Sequence, residues 1–457
     1  MASSFHRRIW RWHFYAGLFV IPFVLVLALS GSIFLFKPQI ERWEERAFHD
    51  LPVTEAVAPS RQVEAALAAF PGARFQNYRL PERGGDAAMV ELALAGGATR
   101  DVFVAPRGAV LGSLDPDARL IAVIRRIHGQ LLLGPHGSWL VELAASWAIV
   151  MIITGLYLWW PRGRGLAGVV WPRRASLLRD LHAVTGFWVA GFALVLLFTG
   201  LPWASAWGSA FKAVRADLGW VKGVQDWSIG GQPAGTSGMA GMDGGHAGHD
   251  HAAMHAGHAS PPNLAGMDGI VARAAAARLA FPVLVVPPGV ARREDGVTAT
   301  PAWTVKSDAQ NRPLRATIRY DATTGAELSR ESFADQHPID RVVAYGIAWH
   351  EGQLFGLANQ LIGVATALAL STMSVTGFLM WRRRRPSGAL GAPALPQDRR
   401  KPLVVAVVTL VLAAWLPLLA GSLLLLWLFD LLLPRLSPAA AAWLGIVSVN
   451  AGEVTAS

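Results

Sequence analysis

The sequence predicts a polytopic α-helical membrane protein in which a unit of helix, external domain and helix occurs twice. This arrangement gives a four-helix core, an additional C-terminal helix and two small α+β domains outside the membrane. Three observations lead to this fold class: long apolar runs, basic residues beside alternate runs, and spacings of histidine and glycine that recur between the two halves of the chain. The composition agrees, because 53% of the 457 residues are hydrophobic and soluble domains are rarely so apolar.

Five apolar runs are long enough to cross a bilayer, which takes about 20 helical residues. They lie near residues 14–36, 138–160, 183–206, 357–381 and 402–433. The last run contains Pro417, so it is either one tilted helix or a broken pair. The predicted order of segments is a first span (1–37), an external domain (38–125), a second span (126–160), a loop (161–180), a third span (181–206), a second external domain (207–348), a fourth span (349–381), a loop (382–401), the C-terminal span or pair (402–434) and a tail (435–457).

The net charge of +10 is concentrated beside alternate spans. Residues 1–12, 161–179 and 382–401 together hold 15 basic residues and one acidic residue. This positive-inside pattern places the N-terminus and both loops in the cytoplasm, and the two external domains in the periplasm of a bacterial inner membrane. A nucleic-acid-binding face would not alternate with apolar spans in this way. The chain has no cysteine, which excludes disulfides, catalytic thiolates and cysteine-ligated iron–sulfur clusters.

Four histidines of the spans occur in repeated sequence. His13 and His182 are each followed by a glycine after four residues and by a Ser/Thr–Gly pair whose glycine lies 18 residues on. His128 and His350 are each followed by a Thr–Gly pair whose threonine lies 26 residues on, and by a tryptophan 31 residues on. Both units begin on the same side, so the repeat is parallel and its axis runs along the membrane normal. The repeat therefore predicts that His13 meets His182 near the cytoplasmic face and that His128 meets His350 near the external face.

The two external segments are weakly similar to each other. Residues 60–115 and 264–332 each combine a helix with strands, and each ends in a strand, a glycine turn and a second strand. In the first segment the helix is expected from Val63 to Phe70. We therefore expect one small α+β domain in each unit.

Ionisable side chains within membrane spans are rare and usually functional. Neutral imidazole is a good iron ligand, and two axial imidazoles leave no open position for oxygen chemistry. The four histidines therefore predict two bis-histidine haems and electron transfer. Candidate haem contacts are glycines one turn on, which leave room for a macrocycle, and arginines beside the ligands, which suit propionates: Gly17, Gly186, Arg11, Arg125, Arg126 and Arg179. The Ser/Thr–Gly pairs at 30–31, 154–155, 199–200 and 376–377 are interpreted as helix-packing positions.

These residues resemble the PepSY-associated transmembrane (iron-regulated membrane protein) family, which includes ferric-siderophore reductases of the inner membrane. The resemblance covers about residues 5–435. It rests on the His13/Gly17 opening, the span from His128 through Thr154-Gly155 to Trp159-Trp160-Pro161-Arg162, the motif His350-x-Gly-x-Leu-x-Gly356 and two PepSY-like external domains. It implies a metalloreductase of the ferric-chelate type, in which two b-type haems carry electrons outward to a ferric siderophore.

The electron donor is expected to be a separate cytoplasmic protein or the quinol pool. Gly163-Arg-Gly165-Leu-Ala-Gly168 matches a dinucleotide-binding pattern, but it follows a membrane span rather than a strand. The pattern binds dinucleotides only between a strand and a helix. We therefore interpret it as a loop and expect no nicotinamide or flavin domain in this chain.

Residues 235–269 form a Gly- and Ala-rich insert that carries histidine and methionine. Its composition excludes a packed core, and imidazole together with thioether favours copper. The candidate periplasmic copper ligands are His246, His249, His251, His255, His258, Met242 and Met254, with Met239 and Met267 in the same stretch. A flexible linker of biased composition is the alternative interpretation.

Two other functions stay open at the level of the sequence. The same haem core would serve Cu(II) reduction and uptake if the insert collects copper. Alternatively, the external domains bind or inhibit a partner protein and the helices are anchors without a redox role. No substrate-binding residue is identifiable, and His49, His136 and His337 lack a counterpart in the repeat, so we interpret them as structural or surface residues.

Overall fold

The computed structural model describes residues 4–52, 55–160, 170–171, 177–220, 264–289, 302–393 and 403–446. Its helices are α1 (Ser4–Phe34), α2 (Lys37–Glu44), α3 (Pro59–Ala69), α4 (Leu120–Gln130), α5 (Pro135–Trp159), α6 (Leu177–Gly200), α7 (Ser205–Asp217), α8 (Met267–Ala276), α9 (Pro338–His350), α10 (Gly356–Arg384), α11 (Leu403–Trp415), α12 (Pro417–Leu436) and α13 (Pro438–Leu444). Its strands are β1 (Arg74–Arg79), β2 (Ala88–Ala93), β3 (Thr99–Val104), β4 (Val110–Leu114), β5 (Val283–Val286), β6 (Ala302–Ser307), β7 (Ala316–Asp321) and β8 (Glu327–Ser332).

Five helices of the described chain are long and apolar enough to span a membrane: α1, α5, α6 with the turn that follows it, α10 and α12. The first four form a bundle in which α1 packs against α5 and α10, and α6 packs against the same two helices. Helices α1 and α6 therefore lie diagonally opposite each other. The predicted polytopic helical fold with a four-helix core is confirmed.

Two histidines of the repeat lie on separate short helices that precede their spans. Helix α4 ends at Leu131, which like Leu132 has a left-handed conformation (φ 51° and 59°), and α5 begins after Gly134 (φ 60°). Helix α9 ends before Gly352 (φ 74°), and α10 begins at Gly356 (φ 58°). Glycine adopts positive φ at little cost, so the chain turns between the two helices. Where the sequence predicted single spans over 126–160 and 349–381, the structure places His128 and His350 near the ends of α4 and α9.

The C-terminal apolar run is a broken pair of helices. Helix α11 has 13 residues, and α12 begins at Pro417, which lacks the N–H that a continuous helix would need. The pair packs on α5 and α6 through a cluster of Ile149, Val150, Leu201, Leu416 and Leu419. Beyond α12 the chain reaches the start of α1, where Tyr15 donates a hydrogen bond to the carbonyl of Leu444 at 2.6 Å. The N-terminal end of α1 and the end of α13 therefore lie on the same side of the bundle.

The two external segments share one antiparallel sheet in the order β4-β3-β2-β1-β5-β6-β7-β8. At its centre β1 pairs with β5, Tyr78 opposite Val285 and Arg79 opposite Leu284. Helices α3 and α8 pack on the same face of this sheet, where Val63 and Ile270 enter one apolar core. Because β1 and β5 are antiparallel and α3 and α8 lie on the same face, the two halves of the sheet are related by an approximate two-fold axis perpendicular to the sheet. The two predicted α+β segments thus form two halves of one continuous sheet.

The other face of the sheet packs, in its first half, against the chain after α2 and the start of α4, and we call it the membrane-facing face. In the first half, Phe48, from the chain after α2, stacks on Phe103 with ring centroids 4.0 Å apart. Arg119, which immediately precedes α4, lies 3.7 Å from Asp101 on the same face. These contacts attach the sheet to the helices that carry the histidines.

Each short histidine-bearing helix is tied down by a buried ion pair. Arg119, at the start of α4, donates to Glu45 at 2.8 Å and to Glu44 at 3.0 Å. Burial alone would raise the pKa of Glu45, but Arg79 and Arg119 outweigh it and hold that pKa below its usual range. In the second unit the charges are exchanged, and Arg215 of α7 meets Asp340 of α9 at 2.7 Å.

Candidate functional site

The repeat histidines meet in two pairs inside the bundle, as the repeat predicts. The imidazole centroids of His13 and His182 are 6.5 Å apart with their planes at 83°. Those of His128 and His350 are 6.2 Å apart with their planes at 78°. We call His128 and His350 the sheet-side pair, and His13 and His182 the N-terminal-side pair. Each pair joins one residue from each unit across the bundle axis.

The two pairs lie near opposite ends of the spans. His13 is on α1, whereas His128 packs against Gly31 of the same helix. The 18 residues from 13 to 31 correspond to about 27 Å of helix. That length is close to the hydrocarbon thickness of a bilayer, about 30 Å, so the arrangement provides one pair near each membrane face.

On the N-terminal side, each ring is held by a Thr–Gly pair of the neighbouring span. His13 Nδ1 is 3.0 Å from the carbonyl oxygen of Met151 and 3.2 Å from Thr154 Oγ1 on α5. His182 Nδ1 is 3.1 Å from the carbonyl oxygen of Met373 and 3.1 Å from Thr376 Oγ1 on α10. The two sets of contacts are equivalent under the repeat.

On the sheet side, a Ser–Gly and a Thr–Gly pair have the same role. His128 Nδ1 lies 3.0 Å from Ser30 Oγ on α1, beside the main chain of Leu27. His350 Nδ1 lies 3.1 Å from Thr199 Oγ1 on α6, beside the main chain of Leu196. All four rings are therefore seated by a hydroxyl and by the carbonyl three residues before it. We call each such Ser/Thr–Gly pair, with that carbonyl, a histidine seat.

The hydroxyl of each seat is already committed as a donor, which fixes the tautomer of the ring. Thr154 donates to the carbonyl of Val150 at 2.8 Å, and Thr376 donates to that of Thr372 at 2.7 Å. The hydroxyl oxygen and the carbonyl next to it can then only accept, so Nδ1 carries the proton. Nε2 keeps its lone pair and is the atom available to a metal.

The glycine of each seat makes room for the ring. A Cβ built on Gly155 would lie 3.0 Å from His13 Cε1, and one on Gly31 would lie 3.1 Å from His128 Cε1. At Gly200 and Gly377 the corresponding distances to His350 and His182 are 3.3 Å. These contacts are tighter than the usual carbon–carbon separation of about 3.5–4.0 Å, so side chains at these positions would displace the rings. The Ser/Thr–Gly pairs, which the sequence indicated as helix-packing positions, thus also contact the histidine rings.

The two glycines predicted to face a macrocycle lie against methionines. A Cβ on Gly17 would lie 3.9 Å from Met151 Sδ, and one on Gly186 would lie 2.9 Å from Met373 Cε. Met151 and Met373 are equivalent in the repeat, and their carbonyls accept from His13 and His182. The thioethers therefore occupy the space beside the N-terminal-side pair in this structure.

The four candidate arginines differ in their surroundings. Arg11 donates to the carbonyls of Pro393 and Gly445 and to the hydroxyl of Tyr15, so it ties the C-terminal segment to α1. Arg179 lies in the first turn of α6, three residues before His182. Arg125 and Arg126 lie on α4 before His128.

Arg125 is the arginine whose environment best suits an anion. Its Nε is buried and has no hydrogen-bond partner among the described residues. Burial lowers the pKa of Arg125, because the protein desolvates the guanidinium. A buried guanidinium nitrogen without a hydrogen-bond partner is costly, so a negative group beside His128 would be stabilised here.

A shallow pocket opens beside His350, between α6 and α10. Trp349, Phe192 and Leu196 contribute apolar walls, and Asn359 contributes a polar group. Asn359 Oδ1 is buried without a hydrogen-bond partner in the described part of the chain. The space beside the sheet-side pair is therefore bounded mainly by apolar side chains.

Three further histidines and Met267 of the insert lie apart from the two pairs. His49 Nδ1 bonds Asp86 at 3.0 Å, His337 accepts from Ile339 N at the start of α9, and His136 is exposed. Met267 is fully buried in the core between α8 and the sheet, so its thioether is not accessible to a copper ion in solution. The seven candidate copper ligands between 242 and 258 lie outside the described residues.

The intramembrane carboxylate Glu142 was not singled out from the sequence. It accepts the main-chain N–H groups of Ala206 at 2.8 Å and Trp207 at 3.0 Å. Negative charge at a helix N-terminus is stabilising, so Glu142 caps α7 rather than joining the histidine pairs. The sequence signal that could have identified Glu142 is an acidic residue within an otherwise apolar span.

A comparison with curated proteins finds no significant match. Residues 10–384 match the family model described as the PepSY-associated TM region. The match includes both histidine pairs, all four histidine seats and the complete sheet. Because it covers most of the chain, the protein belongs to the PepSY-associated TM region family.

Proposed function

We propose that the two histidine pairs each bind a b-type haem and that the protein carries electrons across the bacterial inner membrane to an external ferric chelate. The observation that supports this most is the distance between the opposed rings. An imidazole nitrogen lies about 2 Å from a bound metal ion and about 1 Å from its own ring centre, so rings on opposite sides of one metal have centres about 6 Å apart. The observed separations are 6.2 and 6.5 Å.

A porphyrin fits the donor set better than a bare metal ion does. No group of three or more His, Cys, Asp or Glu residues with metal-binding geometry occurs among the described residues. Two imidazoles alone do not satisfy a protein-bound zinc ion, which takes about four ligands. A haem brings four equatorial nitrogens and needs only the two axial ligands that each pair provides.

The surroundings of the sheet-side pair also suit this group. The apolar side chains beside His350 suit a largely apolar macrocycle, and the unbonded Nε of Arg125, three residues before His128, suits a propionate. His128 with His350, and His13 with His182, would hold the group, which would supply one-electron transfer rather than oxygen chemistry when bound by two imidazoles. The chain's own residues orient the imidazoles, fix their tautomers and exclude water from the bundle.

Reduction of iron(III) weakens the hold of a hard oxygen chelator, so an electron delivered on the sheet side would release iron for uptake. The positive-inside charge pattern supports an N-terminus in the cytoplasm and the sheet in the periplasm. Copper remains the alternative substrate because of the His/Met-rich insert. Deleting residues 239–258 should alter copper handling and leave ferric reduction unchanged if iron is the substrate.

The first test is the visible spectrum and haem content of the detergent-solubilised protein. We expect a low-spin bis-imidazole spectrum and two haems per chain. Replacing His128 or His350 by alanine should remove one haem, and replacing His13 or His182 should remove the other. His136→Ala is the matched control, because that histidine is exposed and belongs to neither pair.

Two results would contradict the proposal. If the protein contains no haem, the alternative is favoured in which the external sheet binds a partner protein and the helices only anchor it in the membrane. Loss of both haems, or of neither, on replacing His128 would show that the pairs are not independent sites.

A further inference from the structure

The membrane-facing face of the sheet differs between its two halves. Strands β2 and β3 place Met89 opposite Phe103 and Glu91 opposite Asp101 on this face. At the corresponding places, β6 and β7 place Thr304 opposite Arg319 and Lys306 opposite Thr317. The correspondence follows from the core positions, since Val90 faces Val102 in the first half and Val305 faces Ile318 in the second. An apolar pair and an acidic pair are thus replaced by cations and hydroxyls.

In the first half this face is closed by the protein itself. Phe48 stacks on Phe103, and Met89 and Ala87 complete a small apolar core there. Asp101 is only 6% exposed and lies beside Arg119. Nothing the size of a metal chelate can reach this surface without unpacking the core.

In the second half the corresponding side chains are accessible. Thr304, Lys306, Thr317 and Arg319 are all partly exposed. The ion pairs that this half makes within the described chain join Arg315 to Asp308 and Arg330 to Glu327, so neither Lys306 nor Arg319 belongs to one. Asp321 lies on the same face two residues after Arg319, where its carboxylate accepts the main-chain N–H groups of Thr323 and Thr324. Thr317 pairs with Lys306 on one side and with Glu331 of the edge strand β8 on the other. Glu331 is therefore a carboxylate on the same face as Lys306, one strand beyond Thr317.

This surface is joined by a loop to the helix that carries His350. The Lys306–Thr317 pair is at the end of β6 and β7 from which residues 308–315 run toward the membrane helices. Asn311 in that loop donates to the carbonyl of Leu354 at 3.5 Å, four residues after His350. The turn Arg312–Leu314 packs against α9, which carries His350. The loop therefore connects the basic surface directly to the helix of a proposed haem ligand.

We propose that Lys306 and Arg319, with Thr304 and Thr317, form the docking site for an anionic iron(III) chelate. Two cations in a row of hydroxyl donors match a ligand that carries excess negative charge on oxygen atoms. The accessible cations and hydroxyls of this face that pair across two strands are in the second half of the sheet, so the proposal assigns substrate binding to the second unit. It rests on the proposed function, because the electron comes from the haem at the sheet-side pair.

The chemical step is a transfer of one electron. The chelated iron(III) becomes iron(II), and the electron donor at the sheet-side pair loses one electron. No proton moves and no covalent bond changes in that step. The docking residues act on binding alone, which makes them separable from the redox centre.

The experiment follows the reoxidation of the dithionite-reduced, haem-loaded protein at rising concentrations of two iron(III) complexes. One is the anionic complex with EDTA, and the other is the neutral complex with three acetohydroxamates. Lys306→Gln and Arg319→Gln should each raise the half-saturating concentration of the anionic complex about tenfold at low salt, since the Coulomb attraction of one close charge is lost. The reaction with the neutral complex and the haem spectrum should not change.

Arg330→Gln is the matched control. It also removes one positive charge, but Arg330 is exposed and pairs with Glu327. Arg330 is paired across the strands with Ile318, so it lies on the opposite face of the sheet from Lys306 and Arg319. It should leave both reactions unchanged, whereas Glu331→Gln should lower the half-saturating concentration of the anionic complex. The wild-type preference for that complex should decrease as salt is added.

The outcomes separate the two proposals. If the wild-type protein holds no haem or neither complex reoxidises it, the proposed function fails. If both complexes react but the Lys306 and Arg319 variants behave like wild type, or slow both complexes equally, the docking site is refuted.

Discussion

Substitution of a seat glycine tests the geometry of the site most directly. In Gly31→Ala the added methyl group would lie 3.1 Å from His128 Cε1. Carbon atoms pack at about 3.5–4.0 Å, so the ring must retreat by roughly 0.5 Å. That movement weakens the hydrogen bond from Nδ1 to Ser30, now 3.0 Å, and turns Nε2 away from His350.

The cost combines two effects. Overpacking a tight site costs about 1–3 kcal/mol, and loss of a hydrogen bond costs about 1 kcal/mol. The sum is about 2–4 kcal/mol, and its lower end corresponds to at least about a 30-fold weaker affinity for the proposed haem at the sheet-side pair. The N-terminal-side pair should be unaffected, because its seats are on α5 and α10.

The assay is haem content per chain, together with the reduced-minus-oxidised spectrum after competition with an apo-haem acceptor. Gly191→Ala is the control, since a Cβ at Gly191 meets no atom within 4 Å. Gly200→Ala, where the contact is 3.3 Å, should give a smaller loss than Gly31→Ala. Equal haem retention in Gly31→Ala and Gly191→Ala would refute the idea that the glycine makes room for a coordinating ring.

Three further predictions concern the seats, the ion pairs and the sheet. Thr376→Val removes the hydroxyl that accepts from His182 at 3.1 Å. Such a hydrogen bond makes the imidazole a more basic ligand, which favours oxidised iron. The midpoint potential of one haem should therefore rise by roughly 20–40 mV in the variant. Thr372→Val is the control, because Thr372 lies one turn before Thr376 and its hydroxyl donates to the carbonyl of Leu368 instead. It should leave the potential of both haems unchanged, and a shift equal to that of Thr376→Val would exclude an effect specific to the seat. Arg215→Met leaves Asp340 buried and unpaired, so chemical denaturation should show a loss of about 3–5 kcal/mol, whereas Arg330→Met in an exposed pair should cost at most about 1 kcal/mol; similar losses in both would contradict the burial argument. Burial raises the pKa of Asp101 to about 7, with Glu91 adding to the effect and Arg119 opposing it, so the folded state retains a proton that the unfolded state releases near pH 4. Wild-type stability should therefore fall as pH rises from about 4 to 7, and Asp101→Asn should remove that part of the pH dependence; identical slopes in thermal melts across this range would show that Asp101 is not the responsible group.

Residue patterns determined the membrane fold and the pairing of the histidines. Apolar run length decides which segments cross a bilayer, because unsatisfied backbone groups are too costly in lipid. The equal spacings after His13 and His182 imposed the symmetry that brings these residues together at 6.5 Å. Both signals are local or periodic, so one sequence is enough to detect them.

The break at Pro417 shows the limit of that reasoning. A proline in an apolar run permits either a kinked helix or two helices. The contact of Leu416 and Leu419 with α5 and α6 selects two helices, and such long-range packing has no local signature. The same applies to the single sheet, since nothing in β1 or β5 alone specifies that Tyr78 pairs with Val285.

By itself, the sequence determined that four imidazoles from two repeated units face one another in two pairs, because repetition imposes symmetry whatever the packing is. The tertiary structure alone decided what holds them. The Ser/Thr–Gly pairs that read as packing positions are the seats of the rings, since a hydroxyl, a carbonyl and the space of a missing Cβ come together only when a second helix packs alongside. It also decided that one half of the sheet is closed by its own aromatic core and the other presents Lys306 and Arg319, because strand register across distant segments sets which side chains share a face.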